Sequence, residues 1–330
     1  MFIDHWGLFT NADLVGANCT AVTDTVHIAD RNVSQQQFLL CDVYSRPLAE
    51  QLADGIFGLS SIRNFTFGSW SNFETAYGNL VHSGGLRHPE FGFSYVETWT
   101  RAGRLTLGGT DRSLYVPATL KTVPLDWPLS EGRASWVVGV HAARIGGVLL
   151  ANSSNSVALM DTGAAVVITP DVEMTRDLYA LMSDQIQPNG DRTWGAPCDV
   201  MDNVVRDVTF TLGGDAAGQQ VEVLVDKRFI NAGEYPGKSG ICQGVFLDPV
   251  LPARESLHGR RAWIIGSPLL RSYYTVWNGP ARTLGFARPS RRGRETEGKG
   301  NGAAWPSAWR QAGDGRPGSS MGTSKDDWAT

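Results

Sequence analysis

The sequence predicts a mostly β protein. Helical periodicity is thin, Gly, Val, Thr and aromatic residues abound, and short apolar runs alternate with Gly/Pro/Asn turns. The chain has 330 residues, enough for one large domain or two ordinary ones, and 42% apolar content can fill a core.

The elements follow in chain order. Residues 71–83, SNFETAYGNLVHS, form a helix candidate with Gly84-Gly85 as its stop. GRLTLGGTDRSLY (103–115) and SWVVGVHAARIGGVLL (135–150) read as strands broken by glycine turns. ALMDTGAAVVITP (158–170) reads as strand, sharp turn with Asp161 at its tip, and strand ending at a proline. Residues 171–187 form the clearest helix candidate. Met174, Leu178, Leu181, Met182 and Ile186 fall on one helical face, and Asp171 can cap its start. RDVTFTLGG (206–214) and RAWIIGSPLLRSYYTVWNGPARTLGFA (261–287) complete the β pattern, with Tyr273 and Tyr274 expected as strand residues. Residues 290–330 are rich in Gly, Ser, Pro and charge without periodicity, and are expected to be disordered.

Composition narrows the function. A net charge of −4 argues against a nucleic-acid binder. No apolar stretch approaches the roughly 18 residues of a membrane span, and MFIDHWGLFT lacks the form of a signal peptide. The cysteines Cys19, Cys41, Cys198 and Cys242 include no C-x-x-C, which disfavours a zinc or redox site. The six histidines show no metal-ligand spacing. Four N-x-[ST] sequons, at Asn18, Asn32, Asn64 and Asn152, together with an even cysteine count, point to a secreted or vacuolar, disulfide-bonded glycoprotein.

One faint repeat matters. Ile56-Phe57-Gly58 in ADGIFGLS and Ile264-Ile265-Gly266 in WIIGSPLL are each two bulky apolar residues before a glycine that admits close backbone approach. DTG alone is a cheap match. In order, however, apolar–DTG–small–apolar–Pro, a helix, PCD, RDVTFTLGG, the lone cysteine of GICQGVF and WIIGSPLLRSYYTVWN…LGFA resemble the carboxyl-terminal lobe of a pepsin-like aspartic protease, peptidase family A1. ADGIFGLS and GRLTLGGTDRSLY resemble segments of the family's amino-terminal lobe, so the likeness spans roughly residues 7–289.

That resemblance implies a bilobal β fold with a cleft between lobes, each lobe giving one D-[TS]-G loop backed by an apolar-apolar-Gly segment. It implies residues 1–130 as a remnant of the first lobe, 131–289 as the second lobe, and 290–330 as a tail. It makes Asp161 the second catalytic aspartate, Thr162 the residue whose hydroxyl ties the two loops, and Gly163 the donor of an N–H to the carboxylate. It implies a Cys198–Cys242 disulfide; Cys19–Cys41 rests on parity and proximity alone. The expected partner is a polypeptide substrate, the expected state a monomer, and no metal or cofactor is implied.

The first acid is missing. Asp161 precedes Ile264 by 103 residues, and the same spacing before Ile56 falls ahead of Met1. No other D-[TS]-G occurs; Asp24-Thr25-Val26, within a stretch resembling the strand after the family's flap, lacks the glycine of a close turn. DHWGLF (4–9) lies where the flap would end and holds no tyrosine. The first lobe is therefore expected to be incomplete and the chain amino-terminally truncated. Two carboxyls about 3 Å apart share one proton, so that one activates water while the other polarises the scissile carbonyl. A lone Asp161 is expected to ionise near 3.9, or lower with amide donors, and to cleave nothing by itself. Ala164 and Ala165 stand where the family carries hydroxyls. Other readings are a non-catalytic peptide- or protein-binding module on this scaffold, and a homodimer in which two chains each give one DTG. A serine hydrolase is excluded by the absence of G-x-S-x-G.

Overall fold

The computed structural model describes residues 17–44, 54–60, 65–67, 70–95, 103–126, 136–214, 218–249 and 260–290. DHWGLF, Asn64 and residues 291–330 of the tail lie outside the described residues.

The fold is mostly β. Its largest sheet runs, in spatial order, Gln220–Val225, Val208–Gly213, Val137–Ile145, Ser156–Met160, Ala262–Ile265, Val167–Ile168 and Phe246–Leu247, with Val148–Leu149 hairpinned onto Val137–Ile145. Most neighbours are antiparallel. Ser156–Met160 and Ala262–Ile265 are parallel, matching Val157 to Ala262 through Met160 to Ile265. These central strands are apolar on both faces, and both are buried on both faces.

A second, five-stranded antiparallel sheet orders Arg104–Leu107, Glu90–Ser94, Tyr274–Asn278, Thr283–Ala287 and Lys121–Pro124. It interleaves strands from residues 90–124 with strands from residues 274–287. Where it meets the large sheet, Phe91 stacks on Trp277 with centroids 5.5 Å apart, and Trp136 stands edge-on to Trp277 at 5.2 Å. Tyr77 closes this cluster edge-on to Phe91 at 4.9 Å. A four-stranded sheet (Gln187–Gly190, Thr193–Pro197, Ile241–Gly244, Asn231–Glu234) carries the Cys198–Cys242 bridge between its two inner strands, Cys198 directly following Thr193–Pro197. Ala17–Ile28 and Arg31–Tyr44 form a long hairpin clasped by Cys19–Cys41.

Both helix candidates form, but shorter than the periodicity suggests. The helix Val172–Ala180 is capped by Asp171, whose carboxylate accepts from the Met174 N–H at 2.8 Å. Past Ala180 the last turn tightens, with the Met182 and Ser183 N–H groups both donating to the Tyr179 carbonyl at 2.9 Å. Met182 and Ile186 stay buried from turns beyond the helix end, so the apolar spacing outruns the helix. The other helix spans Ala76–His82, capped by Thr75, while Trp70–Phe73 is a strand. Tyr274 is a buried strand residue, but Tyr273 precedes that strand, where its hydroxyl oxygen accepts from the Leu224 N–H at 2.8 Å. Two short helices escaped the sequence reading, Cys198–Val204 and Ser267–Leu270.

Candidate active site

Asp161 lies one residue past the end of Ser156–Met160, and the backbone there is held on every side. Its N–H donates to the Ile265 carbonyl at 3.0 Å. The turn folds back so that the Ala164 N–H reaches the Asp161 carbonyl at 3.3 Å and the Gly163 N–H reaches Asp161 Oδ1 at 2.7 Å. A Cβ on Gly163 would stand 3.2 Å from that same oxygen, a tight contact to which the carboxylate would have to yield by a few tenths of an ångström.

Ile264-Ile265-Gly266 then locks the turn from behind. The Gly266 N–H donates to Val166 O at 3.1 Å and the Ser267 N–H to Ala164 O at 2.7 Å. A Cβ on Gly266 would meet Ala164 O at 2.1 Å, so only glycine fits this crossing. The expected companionship of Asp161 and Ile264-Ile265-Gly266 is thus realised in hydrogen bonds and packing.

The carboxylate is half-buried, and its proton affinity departs from the expectation of about 3.9 or lower. Burial raises the Asp161 pKa above the usual carboxylate value, and the amides of Gly163 and Ala164 oppose that rise without cancelling it. Two amide donors do not offset the loss of water around the anion. A carboxyl of raised proton affinity can donate a proton to a carbonyl oxygen while protonated, or take one from water once ionised.

Tyr95 went unnoticed in the sequence. It follows Glu90–Ser94, and its hydroxyl donates to the Thr162 carbonyl, bracing the DTG turn from the five-stranded sheet. Burial pushes its phenol up, the Asp161 charge adds to that push, and Arg271 opposes it. The alternation of Phe91, Phe93 and Tyr95 was the available signal: period two places all three on one face, and Phe93 meets Tyr95 edge-on at 4.8 Å. The Thr162 hydroxyl makes no hydrogen bond among the described residues.

The first apolar-apolar-Gly segment is placed differently. Ile264 and Ile265 are 5% and 0% exposed, whereas Ile56 and Phe57 are 54% and 45% exposed. Leu59 nevertheless joins the site's framework. Its carbonyl accepts from Trp136 Nε1 at 3.2 Å, and the Trp136 carbonyl accepts from the Met160 N–H at 2.9 Å, next to Asp161. Asp24 is exposed on the long hairpin, and among the described residues its carboxylate accepts only its neighbour's N–H, from Thr25. Among the described residues no cluster of His, Cys, Asp and Glu could hold a metal ion, and no helix is long and apolar enough to cross a membrane.

Comparison with known proteins agrees with this geometry. Residues 11–289 match the family model for eukaryotic aspartyl proteases. Rhizopuspepsin-1 of Rhizopus niveus is 29% identical over 194 residues, covering 58% of this chain and 46% of its own length. Cathepsin D of Canis lupus familiaris is 26% identical over 241 residues, covering 72% and 53%. Human gastricsin is 25% identical over 273 residues, covering 80% and 62%. The chain spans about half the length of the curated relatives it matches. With a family model covering most of its length and a DTG turn locked by its Ile-Ile-Gly strand, the chain belongs to the eukaryotic aspartyl protease family.

Proposed function

We propose that this chain carries one half of an aspartic endopeptidase site, with Asp161 as the second of two carboxylates and Thr162 and Gly163 as its supporting turn. The observation that carries this reading is the hydrogen-bonded crossing that fixes Asp161 against Ile265 and Gly266 while burial raises its proton affinity. In the reaction, an ionised carboxylate takes a proton from a water held between two acids. A protonated partner hydrogen-bonds the scissile carbonyl oxygen. Water attacks to give a tetrahedral intermediate, and the proton roles reverse as the amine departs. The substrate is a polypeptide. No second D-[TS]-G exists among these 330 residues, so the completing acid lies outside them. Residues 1–130 belong to the first lobe and 131–289 to the second. Passage through the secretory pathway fits the two disulfides.

The test is proteolysis at pH 3–6 with and without pepstatin. The 330-residue chain alone is expected to show no pepstatin-sensitive cleavage. The same chain supplied with a first-lobe segment bearing D-[TS]-G is expected to cleave, and to stop cleaving on Asp161→Asn. Cleavage by the isolated chain that vanishes on Asp161→Asn would mean that another carboxyl here supplies the second acid.

A second reading is favoured by Ala164 and Ala165 and by the exposed Ile56-Phe57 segment: a non-catalytic module that binds peptides on the same scaffold. It predicts that the completed form binds pepstatin or peptide without turnover.

A further inference from the structure

The backbone of the DTG turn is held by main-chain bonds on both sides of its tip. The Asp161 N–H donates to Ile265, the Ala164 N–H to the Asp161 carbonyl, and the Ser267 N–H to the Ala164 carbonyl. The peptide joining Thr162 to Gly163 lies at the tip itself, where Gly163 is exposed. Among the described residues no backbone group bonds either end of that peptide.

Two side chains hold it instead. Its carbonyl accepts from the Tyr95 hydroxyl, and its N–H donates to Asp161 Oδ1 at 2.7 Å. A carbonyl oxygen has no proton to give, so the phenol is the donor. A trans peptide is planar, with C=O and N–H pointing in opposite directions. Tyr95 and Asp161 therefore grip opposite ends of one rigid plate, and fixing the carbonyl aims the N–H. Donation to the carbonyl also polarises the amide, which makes its N–H a stronger donor, as in any chain of hydrogen bonds.

The hydroxyl is well placed to do this throughout the acid range. The Tyr95 ring meets Phe93 edge-on at 4.8 Å and follows Glu90–Ser94, a strand paired with Tyr274–Asn278. Burial raises the phenol above its ordinary pKa and keeps it protonated. Two charged groups act on it, Asp161 adding to that rise and Arg271, at the end of Ser267–Leu270, opposing it. On Asp161 itself, burial is opposed by the amides of Gly163 and Ala164. The first of these is the amide that Tyr95 holds.

We propose that Tyr95 is a positioning residue for Asp161. By fixing and polarising the Thr162–Gly163 peptide, it strengthens the hydrogen bond from Gly163 to the carboxylate and favours the ionised form that takes a proton from water. The inference rests on Asp161 being the acid of the site, but its test reads the carboxyl directly and needs neither a second acid nor a substrate.

The full chain, isotopically labelled at its aspartate carboxyl carbons, is titrated by NMR, and Asp161→Asn identifies the Asp161 signal. Tyr95→Phe keeps the ring and removes the hydroxyl. It is expected to lower the Asp161 ionisation constant about threefold and to move the Gly163 amide proton upfield. Fluorination of the Tyr95 ring beside its hydroxyl makes the phenol a stronger donor and is expected to move both readings the other way. Tyr77→Phe is the control, since it deletes a phenol that donates to a different carbonyl, that of Pro89, at 3.3 Å. It is expected to move neither reading. An unchanged Asp161 ionisation constant in Tyr95→Phe overturns the inference, as does an equal change in Tyr77→Phe. Should Tyr95→Phe not fold, the fluorinated form decides alone, and an unmoved Asp161 there overturns it. If the titrations behave as expected while a form completed with a first acid cleaves nothing, the proteolytic reading falls and the positioning role stands.

Discussion

The Tyr95 hydroxyl donates to the Thr162 carbonyl across 67 residues of sequence, and this bond couples the DTG turn to the five-stranded sheet. Tyr95→Phe keeps the ring and its contact with Phe93 while removing the donor. Losing one hydrogen bond to a part-buried carbonyl is expected to lower stability by about 1 kcal/mol. Urea unfolding of both proteins checks this, and an unchanged midpoint would show that Thr162 finds another donor.

The raised Asp161 pKa makes a prediction about pH. A carboxyl whose folded pKa exceeds its unfolded value costs nothing while protonated in both states. As pH rises past the unfolded value of about 3.9, the unfolded chain ionises first, and native stability falls until the folded group also ionises. Asp161→Asn removes that penalty. The variant is therefore expected to match the parent in strong acid and to exceed it near neutrality. Thermal unfolding across pH 3–7 measures the difference, and a variant that loses stability near neutrality would reverse the assigned direction.

Gly266 has no room for a side chain, since a Cβ would meet the Ala164 carbonyl oxygen at 2.1 Å and the Ala164 Cβ at 2.7 Å. Gly266→Ala must push the DTG turn off its strand and is expected to cost about 3 kcal/mol or more. Gly55→Ala is the control, because nothing lies within 4 Å of the Cβ it would add. Circular dichroism with denaturant titration separates the two.

Ala164 sits beside the carboxylate, 3% exposed. In a form with both acids, Ala164→Thr adds a hydroxyl that can donate to the Asp161 carboxylate. Such a bond favours the anion, so the pKa falls and the pH optimum moves toward acid. The pH–rate profiles of the two forms decide it, and coincident optima would remove any role for the hydroxyl.

Much of the fold was legible in the residues because local patterns were strong. Asp171 caps its helix as its position suggested, and both disulfides join the expected partners. The pairing of Asp161 with Ile264-Ile265-Gly266 was legible only through family resemblance, because 103 residues separate them. The short helix Ser267–Leu270 was invisible because four residues contain no full apolar period.

The sequence by itself determined that Asp161 stands in a glycine-containing turn between apolar strands, and that no second such turn accompanies it. Local chemistry suffices for that, since turn type and strand alternation depend on neighbouring residues. Tertiary structure alone decided the state of the acid and its surroundings. It placed Tyr95 on the turn's back, left Ile56 and Phe57 exposed while burying their counterparts, and set burial above amide donation in holding the Asp161 proton. Desolvation depends on everything that packs around a group, and segments far apart in sequence, from Tyr95 to Ile265, do that packing here.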